Sequence, residues 1–342
     1  MSNSRYSNQI KLKEIGSVGQ LKLKNTKVTV IGCGGLGHSL TTYLGASGVG
    51  HIVLIDGDQI ELANLNRQFC FTENDLGKNK AEILKLFLKK QNPKIKIESI
   101  NNFLTVDNIS SNLMDCDYIV DCTDNINIKF LIHDHCYQNK LNLVQGAVFK
   151  YDGKIINFPF QKDDSFCWRC LWSEIPKVKN CNDTGSLGPV LGIFGSMLAL
   201  EVIKNILSIS PANLGTEIHV DLLDYSILKN KWKKNDECSL CVKQNLSFTY
   251  GIDELINFEV DSIDNFKEIY TIDREVNILN KNIKYIELHD IKSLFNTNNN
   301  QEDKNKILLI CKSGNLSFDL VQNLRKQGHN NFYSLKNGIK NL

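Results

Sequence analysis

Neither sign of charge dominates this 342-residue chain: 40 lysines and arginines stand against 38 aspartates and glutamates, a formal net charge of +2. So small an excess gives no electrostatic reason to expect a nucleic-acid or membrane partner. The lysines of Lys22 to Lys27 and Lys229 to Lys234 therefore read as solvated faces. The N-terminal MSNSRYSNQIKLKEIG lacks an apolar core, so no signal peptide is expected. A long apolar run is missing too. The most apolar stretch, Leu187 to Ile203, contains Pro189, Glu201 and three glycines. It is short for a membrane span and reads as a buried loop and helix. No internal repeat is visible. Without a secretory signal, the eleven cysteines argue for metal and sulfur chemistry in a cytoplasmic protein rather than for disulfides.

What is present is an ordinary globular composition, 42% hydrophobic and 23% charged, with length for one large α/β domain and a small second one. Val28 to Ile31 reads as a short buried strand, Gly32 to Gly37 as a tight turn, and His38 to Ser47 as a helix. A second strand, His51 to Ile55, ends on Asp56. A βαβ unit with a glycine-rich first turn puts phosphates on a helix N-terminus and a ribose on the acid, so nucleotide binding is expected. Further helices are expected over 75–90, 106–114, 128–138 and 188–207, and strands over 95–100, 118–120, 143–145 and 219–224. Lys154 to Phe158 opens an antiparallel section. Strands alternating with helices predict an α/β fold with a Rossmann-like, mostly parallel sheet covered on both faces. The polar run Asn296 to Lys306 reads as a loop. The division expected is a domain over 1–247 and a second over 248–342, linker included.

The same fingerprint serves NAD enzymes and one group of ATP users. Asn64, Arg67 and Lys80 follow the ribose acid, and a triphosphate being cleaved needs such cations where a dinucleotide does not. Asp121 to Asn125 brings carboxylates to the end of another strand, where one of them could hold Mg2+. Cys167-Trp168-Arg169-Cys170 and Cys238-Ser239-Leu240-Cys241 are two knuckles of the kind that give four thiolates to structural Zn2+. Cys181 sits in a flexible run near the site and is a plausible nucleophile. Cys311 ends the strand Lys306 to Ile310 in a small-residue loop before a helix, surroundings that stabilise thiolate or persulfide sulfur. Cys33, Cys70, Cys116, Cys122 and Cys136 fall on core elements, and Trp168, Trp172 and Trp232 are expected to pack around the zinc region. His133-Asp134-His135 is expected at the surface, because i and i+2 on a helix point apart.

Residues 5 to 242 resemble the adenylyltransferases that activate ubiquitin-like sulfur-carrier proteins in molybdopterin and thiazole synthesis, relatives of the ubiquitin-activating enzymes. The resemblance rests on the spacing of Gly35, Asp56, Arg67, Lys80 and Asp124. It implies that Gly35 lies against ATP, Asp56 binds the ribose, Asn64, Arg67 and Lys80 grip the phosphates, and Asp124 with Asn125 serves Mg2+ and the nucleotide. It also implies a homodimer, a structural zinc, and a thioester or disulfide step at Cys181. Asn8 stands where the family usually has a second Arg that reaches a neighbouring subunit's site. Residues 260 to 342 resemble the rhodanese-like fold, with Thr271 to Glu275 and Lys284 to Glu287 in its earlier strands. There, Leu316 replaces a basic loop residue, Asn282 replaces a His, and the C-terminal motif is reduced to Asn337-Gly338-Ile339. The expectation is an ATP-dependent adenylation of a carrier's C-terminal glycine, coupled to persulfide transfer from a donor such as a cysteine desulfurase. The alternatives are an inert C-terminal domain, a peptide substrate, a Rossmann oxidoreductase, and a carrier-binding scaffold without catalysis.

Overall fold

The computed structural model describes residues 5–161, 166–176, 185–209, 215–245, 248, 250, 259–260, 262–273, 283–296, 306–312, 314–326, 329, 331–335 and 338. Cys181 with its neighbours Asn180 to Thr184, Arg274, Glu275, Asn282, residues 297–305, Asn337 and Ile339 lie outside them. The chain divides into two compact units, Met1–Tyr250 and Gly251–Leu342.

The first unit is built on an eight-stranded sheet. Its strands are β1 (Lys27–Ile31), β2 (His51–Ile55), β3 (Lys96–Ile100), β4 (Tyr118–Asp121), β5 (Asn142–Phe149), β6 (Asp152–Phe158), β7 (Thr216–Asp221) and β8 (Ser226–Lys231), in spatial order 3-2-1-4-5-6-7-8. The first five run parallel, and β5 to β8 form an antiparallel extension. Val28, Val30 and Ile31 on β1, and Ile52 to Ile55 on β2, are buried without alternation, as strands covered on both faces must be. The helices include α1 (Ser7–Ile10), α2 (Gly16–Asn25), α3 (Gly35–Ser47), α4 (Lys80–Gln91), α5 (Ile109–Leu113), α6 (Ile126–Gln138) and α7 (Gly188–Leu207).

On length and composition α7 could cross a membrane. Here it is a core helix: Val190, Phe194, Leu198, Val202 and Ile206 are buried, and it packs on α3. The approach is close because glycines face each other's helix. A Cβ on Gly35 would lie 2.5 Å from Leu191 Cδ1, and one on Gly195 2.5 Å from the Leu36 carbonyl oxygen.

Two expected boundaries shift for local reasons. The helix expected from residue 75 starts at Lys80, because Gly77 takes φ +77° and the Asn79 side chain caps the helix by accepting from the Glu82 N–H at 3.1 Å. Residues 73–75 form a separate 3-10 turn. The strand expected over 219–224 ends at Asp221, and the chain reverses through Tyr225, at φ +62°, into β8. Lys229 and Lys231 thus lie exposed on an edge strand, which lysines protect from unwanted pairing.

The second unit holds a five-stranded, wholly parallel sheet: β9 (Glu259–Val260), β10 (Glu268–Thr271), β11 (Ile283–Tyr285), β12 (Ile307–Ile310) and β13 (Phe332–Leu335), in order 11-10-12-13-9. Along β12 successive side chains enter opposite cores. Ile307 and Leu309 pack with Val321, Leu324 and Phe332, whereas Leu308 and Ile310 pack with Ile269, Ile283 and Leu335.

Candidate nucleotide site and cysteine cluster

The strand order switches direction between β1 and β4, the place where a doubly wound sheet leaves a crevice at its carboxyl end. Gly32 turns the chain out of β1 at φ +92°, and a Cβ there would lie 2.9 Å from the Cys122 carbonyl carbon. Only glycine fits. Gly34 is the N-cap of α3, and among the described residues no side chain caps that end, which leaves the first N–H groups of the helix open to an anion there. The turn is also open: a Cβ on Gly34 would meet nothing nearer than the Gln68 Nε2 at 3.9 Å. Gln68 is 3% exposed and its Oε1 has no hydrogen-bond partner among the described residues. The uncapped N–H groups, with the Gln68 Nε2 as a second donor facing the turn, suit a phosphate group; the Oε1, an acceptor, does not contribute to that.

Asp56, just past β2, accepts from the Cys33 N–H at 2.6 Å and from the Asp58 N–H at 2.8 Å. Burial, followed by the charge of Asp58, pushes its pKa up to about 6 against the pull of Lys80 and of those two N–H groups. Lys80, the first residue of α4, is 7% exposed and pairs with Asp58 at 2.9 Å. Burial works against its charge, but Asp58, Asp56 and Asp124 together outweigh it and raise its pKa.

The structure therefore brings Gly35, Asp56, Lys80 and Asp124 to one crevice, with Asp58 as the partner that the spacing did not indicate. Asp121 is excluded from metal duty. Fully buried, it accepts from the Thr123 N–H and hydroxyl, from Lys129 Nζ at 3.2 Å and from Gln145 Nε2 at 2.7 Å. Asp124 is exposed and its carboxylate takes no hydrogen bond among the described residues, which leaves it able to hold Mg2+.

Other expected ligands are engaged elsewhere. The Asn125 oxygen caps α6 by accepting from the Asn127 and Ile128 N–H groups. The Asn64 oxygen accepts from the Glu61 N–H at 3.1 Å. Arg67 donates to the Ala63 carbonyl at 2.7 Å and to the Asn66 side chain, so its guanidinium is folded onto its own loop.

Cys167, Cys170, Cys238 and Cys241 place their sulfurs within 4.8 Å of one another, with separations of 3.7, 3.5 and 3.5 Å along the sequence 238, 167, 170, 241 taken from the 167–170 pair outward. A tetrahedral zinc at about 2.3 Å from each sulfur requires edges of about 3.8 Å, so the cluster fits.

The triplet His133-Asp134-His135 on α6 corrects the expectation of a surface position. His133 and Asp134 are 0% exposed and His135 is 7% exposed. His133 Nδ1 pairs with Asp134 at 2.8 Å, and its Nε2 accepts from the Trp168 N–H inside the first knuckle. Asp134 also accepts from Arg169 Nη2 at 2.8 Å and from the Tyr250 hydroxyl at 3.0 Å. This buried network orients the knuckle from α6. Trp168 is buried beside Phe130, Phe158 and His133. Cys33, Cys70, Cys122 and Cys136 are core residues as expected, while Cys116 is partly exposed.

The sequence pattern of the ThiF family matches residues 6–240. The chain belongs to the ThiF family. Among curated relatives, this ThiF chain is 38% identical over 255 residues to "Adenylyltransferase and sulfurtransferase MOCS3" of Aedes aegypti, a match spanning 73% of the chain and 57% of the relative. It is 34% identical over 278 residues to the MOCS3 of Caenorhabditis briggsae, spanning 80% and 69%. The chain thus spans little more than half the length of the insect relative. Solved structures similar to it include E. coli MccB with ATP, at TM-score 0.63 and 28% identity over 70% of this chain and 75% of that one. MccB with AMPCPP and MccA matches at TM-score 0.63 and 27% identity over 71% and 75%.

In the second unit, Cys311 follows β12 and is 2% exposed. Its sulfur accepts from the Ser317 N–H at 3.3 Å and the Ser317 hydroxyl at 3.4 Å, in the first turn of the helix Asn315–Lys326.

Proposed function

We propose that this ThiF-family chain is an ATP-dependent adenylyltransferase for the C-terminal glycine of a ubiquitin-like sulfur carrier, coupled to persulfide transfer that leaves a thiocarboxylate. The observation that carries it is the gathering of Asp56, Asp58, Lys80 and Asp124 beside the open, uncapped end of α3. Asp56 would accept a ribose hydroxyl, while the α3 N–H groups and Gln68 would receive phosphate oxygens. A carboxylate oxygen of the carrier attacks the α-phosphorus and the bond to pyrophosphate breaks. Lys80, with Arg67 unfolded from its loop, stabilises the charge that develops. Mg2+, held by Asp124, would neutralise the leaving pyrophosphate when bound. Zinc at the four cysteines would be structural, joining the 167–170 and 238–241 knuckles.

The second unit is read as a rhodanese-like sulfurtransferase domain. The terminal sulfur of a Cys311 persulfide, supplied by a donor such as a cysteine desulfurase, displaces AMP from the acyl-adenylate. The Cys181 thiolate then attacks the Cys311 sulfur of the acyl-disulfide, forming a Cys181–Cys311 disulfide and releasing the thiocarboxylate. Donation from Ser317 to the sulfur supports that role for Cys311. A homodimer is proposed through the groove of about 590 Å³ between α3 and α7, where Tyr43, Phe69 and Ile193 are exposed. A cytoplasmic location follows the same reading. A second reading, adenylation of a peptide instead of a carrier, draws on the likeness to MccB solved with MccA.

Mass spectrometry of a carrier incubated with the enzyme, ATP and persulfide separates adenylate from thiocarboxylate. Cys311→Ala should stop at the adenylate with pyrophosphate exchange intact. Thiocarboxylate formed at the normal rate by this variant would refute the relay, and absence of exchange with every carrier would refute adenylation.

A further inference from the structure

The loop that carries Arg67 and Gln68 is exposed at Leu62 and Phe69, by 64% and 58%, yet its end is fastened from below. The fastening comes from α3. His38 is 0% exposed and its Nδ1 accepts from the Cys70 N–H at 3.2 Å. The ring meets Phe69 and Phe71 edge-on, with centroids 5.5 and 4.4 Å away. One turn further along α3, the Thr42 hydroxyl lies 3.8 Å from the Cys70 sulfur. An imidazole that accepts at Nδ1 carries its proton at Nε2 when neutral. That Nε2 is buried and makes no hydrogen bond among the described residues. Burial, and after it the charge of Lys80, keep the ring neutral by holding its pKa down to about 3 against the opposing pull of the Cys33 backbone, which favours the protonated ring.

We propose that His38 is a positioning residue of the adenylation site: a neutral imidazole that clips the loop bearing Arg67 and Gln68 to the glycine turn that would hold the phosphates. The inference rests on the adenylyltransferase reading. His38 touches no substrate; it acts through Cys70. Arg67 and Gln68 stand three and two residues before the clipped N–H, so their distance from the turn is set by whether the clip is closed. An error of about 1 Å in placing such groups costs on the order of a hundredfold in rate. The loss should appear in the rate constant more than in ATP affinity, because the charge Arg67 offsets develops in the transition state.

The test uses the full chain. His38→Leu keeps the volume and removes the acceptor, whereas His38→Asn puts an amide oxygen near the place of Nδ1. In carrier-dependent ATP–pyrophosphate exchange, His38→Leu should lose about 10- to 100-fold in kcat with KM for ATP changed less than about threefold, and His38→Asn should recover most of the loss. Nitrogen NMR of the unaltered protein at pH 7 should find Nδ1 unprotonated and Nε2 protonated. Full kcat in a folded His38→Leu protein, an Asn variant as slow as the Leu variant, or a protonated Nδ1 would each overturn the clip. Should His38→Leu not fold, the Asn variant and the nitrogen spectrum still decide. Missing exchange in the unaltered protein would overturn the adenylation reading instead, and the spectrum would still test the clip.

Discussion

Replacing Asp56 with Asn should weaken ATP binding while leaving the fold as stable as before at neutral pH. A carboxyl that ionises near 6 instead of near its ordinary 3.8 carries a folded-state penalty of about 3 kcal/mol once ionised, at about 1.4 kcal/mol per pKa unit. Asparagine removes that penalty, but it keeps one acceptor where the carboxylate serves both the Cys33 and Asp58 N–H groups, a loss of about 1–3 kcal/mol. The two nearly cancel at pH 7. The sign of the pH dependence follows from the raised pKa. Between about pH 4 and 6 the folded protein binds the extra proton, so its stability falls as pH rises through that window, and the penalty is complete above it. Asp56→Asn should be less stable than the unaltered protein at pH 4 and draw level by pH 7. Denaturant titrations at steps of pH would measure this. A bond from this carboxylate to a ribose hydroxyl would be worth about 1.5–3 kcal/mol, so on the proposed reading ATP affinity by calorimetry should fall about 10- to 150-fold. Parallel stability curves for the two proteins would refute the strained carboxyl. Unchanged ATP affinity would refute its role at the ribose.

Three further outcomes are expected. Metal analysis should find one zinc per chain at the four cysteines, and chelation should lower Tm by roughly 6–12 °C if the lost cross-link is worth about 3 kcal/mol, read by thermal melting with and without added zinc. Asp134→Ala leaves Arg169, 3% exposed, buried without its carboxylate, and should destabilise the protein by about 3–5 kcal/mol in denaturant titrations; a cost under about 1 kcal/mol would refute the buried pair. Asn8, whose side chain accepts from Lys11 at the exposed α1, contributes no charge. If a second copy supplies its N-terminal segment to the site, Asn8→Arg should raise the exchange rate severalfold in the dimer, and an unchanged rate would remove that role.

Several features were legible because they depend on neighbours in the chain. The apolar runs 28–31 and 52–55, the glycine turn and the acid after the second run form one local unit, and all lie where their spacing put them. The two knuckles were legible for the same reason, since each presents two thiols three residues apart. Reading failed where partners come from distant elements. His133 and Asp134 were expected at the surface because helical spacing says which residues face apart, not what covers each face. Trp168, Arg169 and Tyr250 cover both. A signal for Asn125 was available, since an asparagine just before an apolar helix is a favoured cap, but the same residue sits in a ligand pattern.

Local sequence alone determined that a glycine turn follows β1, an acid follows β2 and two pairs of thiols stand three residues apart, because backbone freedom at glycine and residue spacing act over a few residues. Only the folded chain decided which charges count. Lys129 and Gln145 arrive from α6 and β5 to bury and saturate Asp121, leaving Asp124 exposed, and Asp58 and Lys80 meet across 22 residues in one crevice. The physical reason is that a carboxylate's availability is set by burial and by the donors around it, and both are properties of packing between elements that the order of residues does not record.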